Sequence, residues 1–161
     1  MKLELHPEKT KIVYCKQYNR QEKYPNVSFD FLGFTFKPRT TKGKDGKYYL
    51  GFGPAISTKA QKQITQEIKR FKIHRSTNAG LEDLAIRLAP CLRGWINYYG
   101  KFRLWGLQKV FRTLNDRLVK WIRNKYKDLR SLKAAARLKL KQIAKDYPNL
   151  FVHWQYGFYP G

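Results

Sequence analysis

The sequence predicts an α+β fold, mostly α, with an N-terminal β-hairpin region followed by a bundle of about four helices. Two observations carry this. Ring-rich extended segments before residue 56 flank an Asp-Gly pair, Asp45-Gly46. From Ser57 onward the apolar period changes to that of helices, in long i, i+3/i+4 stripes. A third observation, 42% hydrophobic and 16% aromatic content, supplies enough apolar mass for a packed interior.

The elements follow in order. Lys11-Ile12-Val13-Tyr14-Cys15 reads as a short strand after the turn-like His6-Pro7-Glu8-Lys9. Gln17 to Asn26 is polar and reads as a loop. Phe29 to Phe36 contains Gly33 and reads as extended, with Tyr48 to Phe52 as its partner. Lys44-Asp45-Gly46-Lys47 between them has hairpin-turn chemistry. Thr58 with Gln61 resembles a capping box, and Ile64, Ile68 and Phe71 then share a helical face. Ser76 to Gly80 links to a second helix with the stripe Leu81, Leu84, Leu88, Leu92, Trp95 and Tyr99. Pro90 and Gly94 are expected to bend it. A third helix after Gly106 carries Leu107, Val110, Phe111, Leu114, Leu118, Trp121 and Ile122 on one side. A fourth starts near Ser131, uses Leu132, Ala136, Leu140 and Ile143, and ends before Pro148. Leu150 to Tyr156 is too aromatic to hang free and is expected to pack back on the helices.

Charge narrows the function. Lys plus Arg total 34 against 11 Asp plus Glu, a net charge of +23. A folded domain tolerates that repulsion best against a polyanion, and nucleic acid is the first candidate. No apolar run approaches the ~20 residues that span a bilayer, and no signal peptide is read at the start, so no membrane partner is expected. Cys15 and Cys91 lie far apart without a CxxC, which suits reduced thiols in the cytoplasm. Between Lys101 and Lys145 fifteen Lys or Arg face two acids, Asp116 and Asp128. A merely solvated face normally mixes signs, so this imbalance favours a cationic docking surface.

Chemistry is harder to find. The acids are scattered, and none pair at a spacing suited to two Mg²⁺ ions. His6, His74 and His153 are isolated, which argues against a metal cluster. No nucleophile motif or phosphate-cradling glycine loop is present. The chain is expected to have no catalytic residues and no cofactor of its own.

Three segments in order resemble the C-terminal half of a group II intron-encoded reverse transcriptase/maturase. Leu3-Glu4-Leu5-His6-Pro7-Glu8-Lys9-Thr10-Lys11 is similar to the block closing the palm of these polymerases. Phe29-Asp30-Phe31-Leu32-Gly33-Phe34 is similar to a primer-grip hairpin. Arg93-Gly94-Trp95-Ile96-Asn97-Tyr98-Tyr99 resembles the signature of the maturase-specific domain. The resemblance implies three parts: residues 1–56 as the end of the palm, 57–104 as thumb helices running into the maturase motif, and 105–161 as the basic maturase helices and aromatic tail. It also implies that the finger and palm blocks, with their Tyr-Ala-Asp-Asp motif and Mg²⁺, would lie before Met1. The chain is thus expected to be inactive alone as an RNA-directed DNA polymerase. Its implied partners are intron RNA, template-primer duplex and the finger-palm region. The alternatives are part of a split polymerase, or a remnant acting as a generic basic RNA-binding protein.

Candidate nucleic-acid-binding residues come from both routes. The resemblance points to Lys9, as a residue assisting pyrophosphate departure or a solvated turn residue, and to Gly33, as a close approach to primer or a bend in the strand. Asn97 and Tyr98 fall off the apolar stripe and are RNA candidates, whereas Trp95 reads as core. Arg93, Lys101 and Arg103 flank the motif and can reach phosphate or stack on bases, with a helix-to-helix hydrogen bond the equal alternative for Arg93. Lys109, Arg112, Lys120, Arg123 and Lys127 lie opposite the third helix's apolar stripe. There they would contact phosphate, which sets affinity and reads no sequence.

Overall fold

Ring pairing organises the N-terminal part. The computed structural model describes residues 4, 6–8, 10–16 and 22–161. Three antiparallel strands form one sheet in the order β1 (Phe29–Phe31), β2 (Phe34–Lys42) and β3 (Tyr48–Ile56). Phe29 stacks on Phe36 with centroids 4.8 Å apart and also meets Phe52. The stretch that its residues alone read as extended, Phe29 to Phe36, is therefore a hairpin, as the resemblance implied for this segment. Its two-residue turn is Leu32-Gly33, both at positive φ (49° and 82°), which matches the twist of the flanking strands. Phe34 pairs with Ile56 and Lys42 with Tyr48, and the Asp45-Gly46 tip closes this second hairpin as expected. Pro38 sits in the middle strand at no cost to the sheet, because β1 pairs only with Phe34 to Phe36.

The expected strand at Lys11 to Cys15 does not form. Among the described residues that segment is irregular, and its Tyr14 N–H donates to the Asn26 carbonyl at 2.9 Å. Ile12 is fully outside, so the alternation that suggested a strand has no face to bury. Part of the expected loop, residues 17–21, lies outside the described residues, as does Lys9.

Helix α1 (Thr58–Arg70) starts one residue earlier than the capping pattern suggested. Ser57 is the cap, its hydroxyl accepting from the Ala60 N–H at 3.1 Å. A left-handed Lys72 and a 3-10 turn, Ile73–Arg75, lead on to α2 (Leu81–Tyr99). The Asp83 carboxylate accepts from the Gly80 N–H at 2.9 Å and caps α2. The helix runs through Pro90 unbroken. A 3-10 turn (Leu104–Leu107) leads into α3 (Gln108–Lys125); another (Lys127–Leu129) precedes α4 (Lys133–Asp146), and a single turn, α5 (Val152–Gln155), closes the chain.

One apolar cluster runs from Ile56 through all five helices to Phe158. Helix α3 is its axis: Val110, Phe111, Leu114, Leu118, Trp121 and Ile122 are buried, as the stripe predicted. On α2 the fifth core position is Ile96, with Trp95 and Tyr99 packed half-buried on its flank. The tail does pack back, with Phe151, His153 and Trp154 fully buried. Three side chains of α3 also fasten the segment between α1 and α2. The Trp121 indole N–H donates to the Ser76 carbonyl (2.8 Å), the Asn124 amide to the His74 carbonyl (2.6 Å), and Lys125 to the Ala79 carbonyl (2.8 Å). The Ser76 carbonyl also accepts from the Ala79 N–H at 3.3 Å, whereas the His74 and Ala79 carbonyls take these side chains in place of a backbone donor.

Candidate nucleic-acid interface

Two regions gather the sequence-predicted residues. The first is the joint between the sheet and the C-terminal end of α2. Phe34 lies buried against Tyr98, Tyr99 and Phe102, with centroids 5.3 to 5.7 Å apart. The Tyr98 hydroxyl donates to the Leu32 carbonyl at 2.8 Å. The Ser57 N–H donates to the Gly33 carbonyl at 2.8 Å. Gly33 is held by both backbone and packing: its φ is +82°, and a Cβ there would stand 3.0 Å from Tyr99 Cε1. The tyrosines of the Arg93 to Tyr99 motif thus seat the turn of the Phe-Leu-Gly-Phe motif. Tyr98, singled out because it leaves the apolar stripe, keeps a half-exposed ring but spends its hydroxyl on the hairpin. Helical periodicity could not show this, because the second packing partner is a sheet.

Around that joint, Arg93, Asn97 and Lys101 are exposed. Arg103 is half-buried, its guanidinium donating to the Thr41 hydroxyl at 3.3 Å. Arg39 lies nearby, bonded to the Gly53 and Thr35 carbonyls. Burial first, and the Arg103 charge second, hold the Arg39 pKa below its ordinary value.

The second region lies along α3 and its neighbours. Lys109, Arg112 and Lys120 are exposed on one helical row, and Lys127 is exposed beyond its end. Arg123 belongs to the same row, but its Nε–H donates to the Arg130 carbonyl at 2.9 Å and ties down the α3–α4 connection. A groove of about 480 Å3 runs beside the row, lined by Arg117, Lys120, Arg123 and Lys133 together with Thr113 and Asp116. Its one carboxylate, Asp116, is paired with Arg137 at 3.0 Å, the sole ion pair among the described residues. The 3-10 turn carries His74 to the same side. Burial, then the charges of Lys120, Arg117, Arg75 and Lys72, hold the His74 pKa below its ordinary value.

Arg117 and Lys133 were not picked from the sequence. Arg117 stands three residues before Lys120, a helical neighbour that the apolar pattern alone left between faces. Lys133 joins only because α4 folds back on α3, which no local pattern encodes.

Among the described residues no three His, Cys, Asp or Glu side chains gather to hold a metal ion. The donor set that the Mg²⁺ of a polymerase would need is thus not found among them. No helix among them is long and apolar enough to cross a membrane. The arrangement offers fixed cations, guanidinium donors and exposed rings.

Comparison with known proteins gives one family match. The family model "Group II intron, maturase-specific domain" matches residues 61–141, just over half of the 161-residue chain. The match takes in most of α1, all of α2 and α3 and most of α4, with both the Arg93 motif and the basic groove. No curated protein and no solved structure gives a significant match.

Proposed function

The chain belongs to the group II intron maturase-specific domain family, and from that membership we propose that it binds group II intron RNA and assists splicing by favouring the splicing-competent RNA fold. The observation that carries the reading is the groove along α3, with four Lys or Arg side chains around a single, already paired carboxylate. Phosphates entering it would release counterions and meet cations already held by packed helices, so little ordering entropy is lost on binding. The contacts would fix register and orientation on a folded RNA rather than read its sequence.

Replacing Arg117, Lys120 and Lys133 together by Gln tests this. Affinity for intron RNA should fall, and the slope of log affinity against log salt should flatten by about 2 to 3, roughly one unit per lost phosphate contact. An unchanged slope would remove the groove from the interface. Equal affinity for intron RNA and bulk RNA at physiological salt would leave only a generic basic RNA-binding protein.

The joint between hairpin and α2 favours a second role within a complete polymerase. A turn seated on Tyr98 and Tyr99 is a rigid element beside Arg93, Lys101 and Arg103, suited to clamping a template-primer duplex. Primer extension with a separately supplied finger-palm piece tests it, and no extension above that of the piece alone would count against it.

A further inference from the structure

A second cavity opens on the other side of Asp116. It has a volume of about 370 Å3, and its lining includes Trp105, Gln108, Arg112, Arg137 and Tyr159. Asp116 and Val119 line this cavity and the basic groove alike, so the two adjoin along α3. We propose that it is a receptor for one unstacked nucleobase of the bound RNA, with Trp105 as its stacking platform. This rests on the RNA-binding reading above and deepens it.

The argument begins with Trp105. An indole 61% exposed is an unusual use of the largest apolar side chain, since Trp121 and Trp154 are buried and Trp95 is half-buried. It is not loose. Its ring meets Phe158 edge-on at 5.3 Å, and the Gly157 backbone lies beneath its far edge, where a Cβ would stand 3.8 Å from Cη2. The platform is thus fixed before any ligand arrives, which removes an ordering cost. Tyr159, 51% exposed, supplies a second ring to the same cavity.

The polar groups suit a nucleotide better than an apolar ligand. Arg112 has no carboxylate partner among the described residues and is free to meet the phosphate of the displaced nucleotide. Arg137 is held at the cavity wall by Asp116. Gln108 offers both a donor and an acceptor to a base edge. A volume of this size falls in the range of small-ligand sites and accommodates a base with its sugar. A strand running in the groove beside Lys120 needs only one flipped nucleotide to fill it. Single-stranded and bulged bases are recognised in this way, by stacking on rings near cationic side chains.

The probe is an RNA stem-loop with one bulged adenosine, compared with the same stem-loop carrying an abasic site at the bulge. The intact bulge should bind the full chain about 5- to 100-fold more tightly, with the same salt slope for both RNAs. In 15N-labelled protein the Trp105 indole N–H resonance should move on titration, while those of buried Trp121 and Trp154 stay in place. Trp105→Ala should erase the difference between the two RNAs. Trp105→Phe, which keeps a ring against Phe158, should retain part of it. Should Trp105→Ala fail to fold, the indole shift of the native protein together with Trp105→Phe decides. Equal binding of the two RNAs with a still Trp105 resonance and a normal salt slope overturns the pocket and leaves the groove standing. Absence of any salt-dependent RNA binding overturns both readings.

Discussion

Acid should destabilise this fold chiefly through His153. Its side chain is completely buried between Phe111, Phe151 and Trp154. The Asn115 amide fixes its tautomer. Asn115 Nδ2 donates to the Phe158 carbonyl at 3.1 Å, so Oδ1 is the acceptor, taking the Trp154 indole N–H at 3.0 Å and His153 Nε2 at 2.8 Å. His153 is therefore protonated at Nε2 and bare at Nδ1, a buried atom with no hydrogen-bond partner among the described residues. Adding a proton there would bury a cation with nothing to accept from it. Burial accordingly pushes the His153 pKa down from 6.5 to about 3.

The sign follows from linkage. The folded-state pKa lies below the unfolded one, so between about pH 6.5 and pH 3 the unfolded chain binds the extra proton. Stability is full above that window and falls as pH drops through it, by about 1.4 kcal/mol per unit. At about pH 4.5 the loss is roughly 3 kcal/mol, and below pH 3 it levels off near 5 kcal/mol in all. For a domain of ordinary stability this is a large fraction of the total. His74 pulls the same way, its pKa lowered by burial and four neighbouring cations. Urea unfolding of the native chain and of His153→Gln at pH 7 and about pH 4.5 separates the two, since His74 and the carboxylates are common to both proteins. Gln can still donate to Asn115 Oδ1 but gains no proton. The variant should lose about 3 kcal/mol less than the native chain between the two pH values. Parallel losses in both proteins would refute the assignment.

The Leu32-Gly33 turn gives two predictions of opposite sign. Gly33→Ala forces a side chain into left-handed backbone 3.0 Å from the Tyr99 ring. It should cost about 1 to 2 kcal/mol in thermal or urea unfolding, and an unchanged stability would mean the turn relaxes freely. Leu32→Asn replaces an exposed leucine at φ 49° with a residue that tolerates that backbone. It should stabilise the fold by about 0.5 to 1 kcal/mol, provided Leu32 has no partner; a loss would show that its side chain is covered in solution.

The helical bundle was legible because amphipathic periodicity is a local property. Each stripe on α3 and the Leu84, Leu88, Leu92 series of α2 could be read without knowing what packs on them, and all of them are buried. What failed was what depends on a second element. Lys11 to Cys15 has strand-like residues, but no strand among the described residues pairs with it, and pairing rather than composition makes a strand. Phe29 to Phe36 hid its turn because Leu-Gly lacks the usual Asn-Gly or Asp-Gly form. Asn115 reads as an ordinary helix residue. Only the return of the tail makes it the hub of a buried network. In the candidate interface the exposed cations on α3 were readable from periodicity. The partition of those cations between structure and surface was not, since it is set by carbonyls in other elements.

That partition bears on what the charge is for. Of 34 Lys and Arg, several are consumed by backbone. Arg39 satisfies carbonyls of the sheet, Arg123 one beyond α3, and Lys125 one between α1 and α2, where it also lies 4.9 Å from the Trp121 ring centroid. These stabilise the fold whether or not RNA is present, and replacing them would cost stability before it cost affinity. Among the described residues Lys109, Arg112, Lys120 and Lys133 have no hydrogen-bond or carboxylate partner of this kind, and one exposed ion pair is found in all. Such a pair contributes little, so the repulsion of the free row is left nearly uncompensated within the chain. A fold gains nothing from keeping that row on a rigid helix. A polyanion bound there does, because each phosphate both makes a contact and relieves repulsion. RNA binding and thermal stability should therefore be coupled through the α3 row and not through the cations that hold carbonyls.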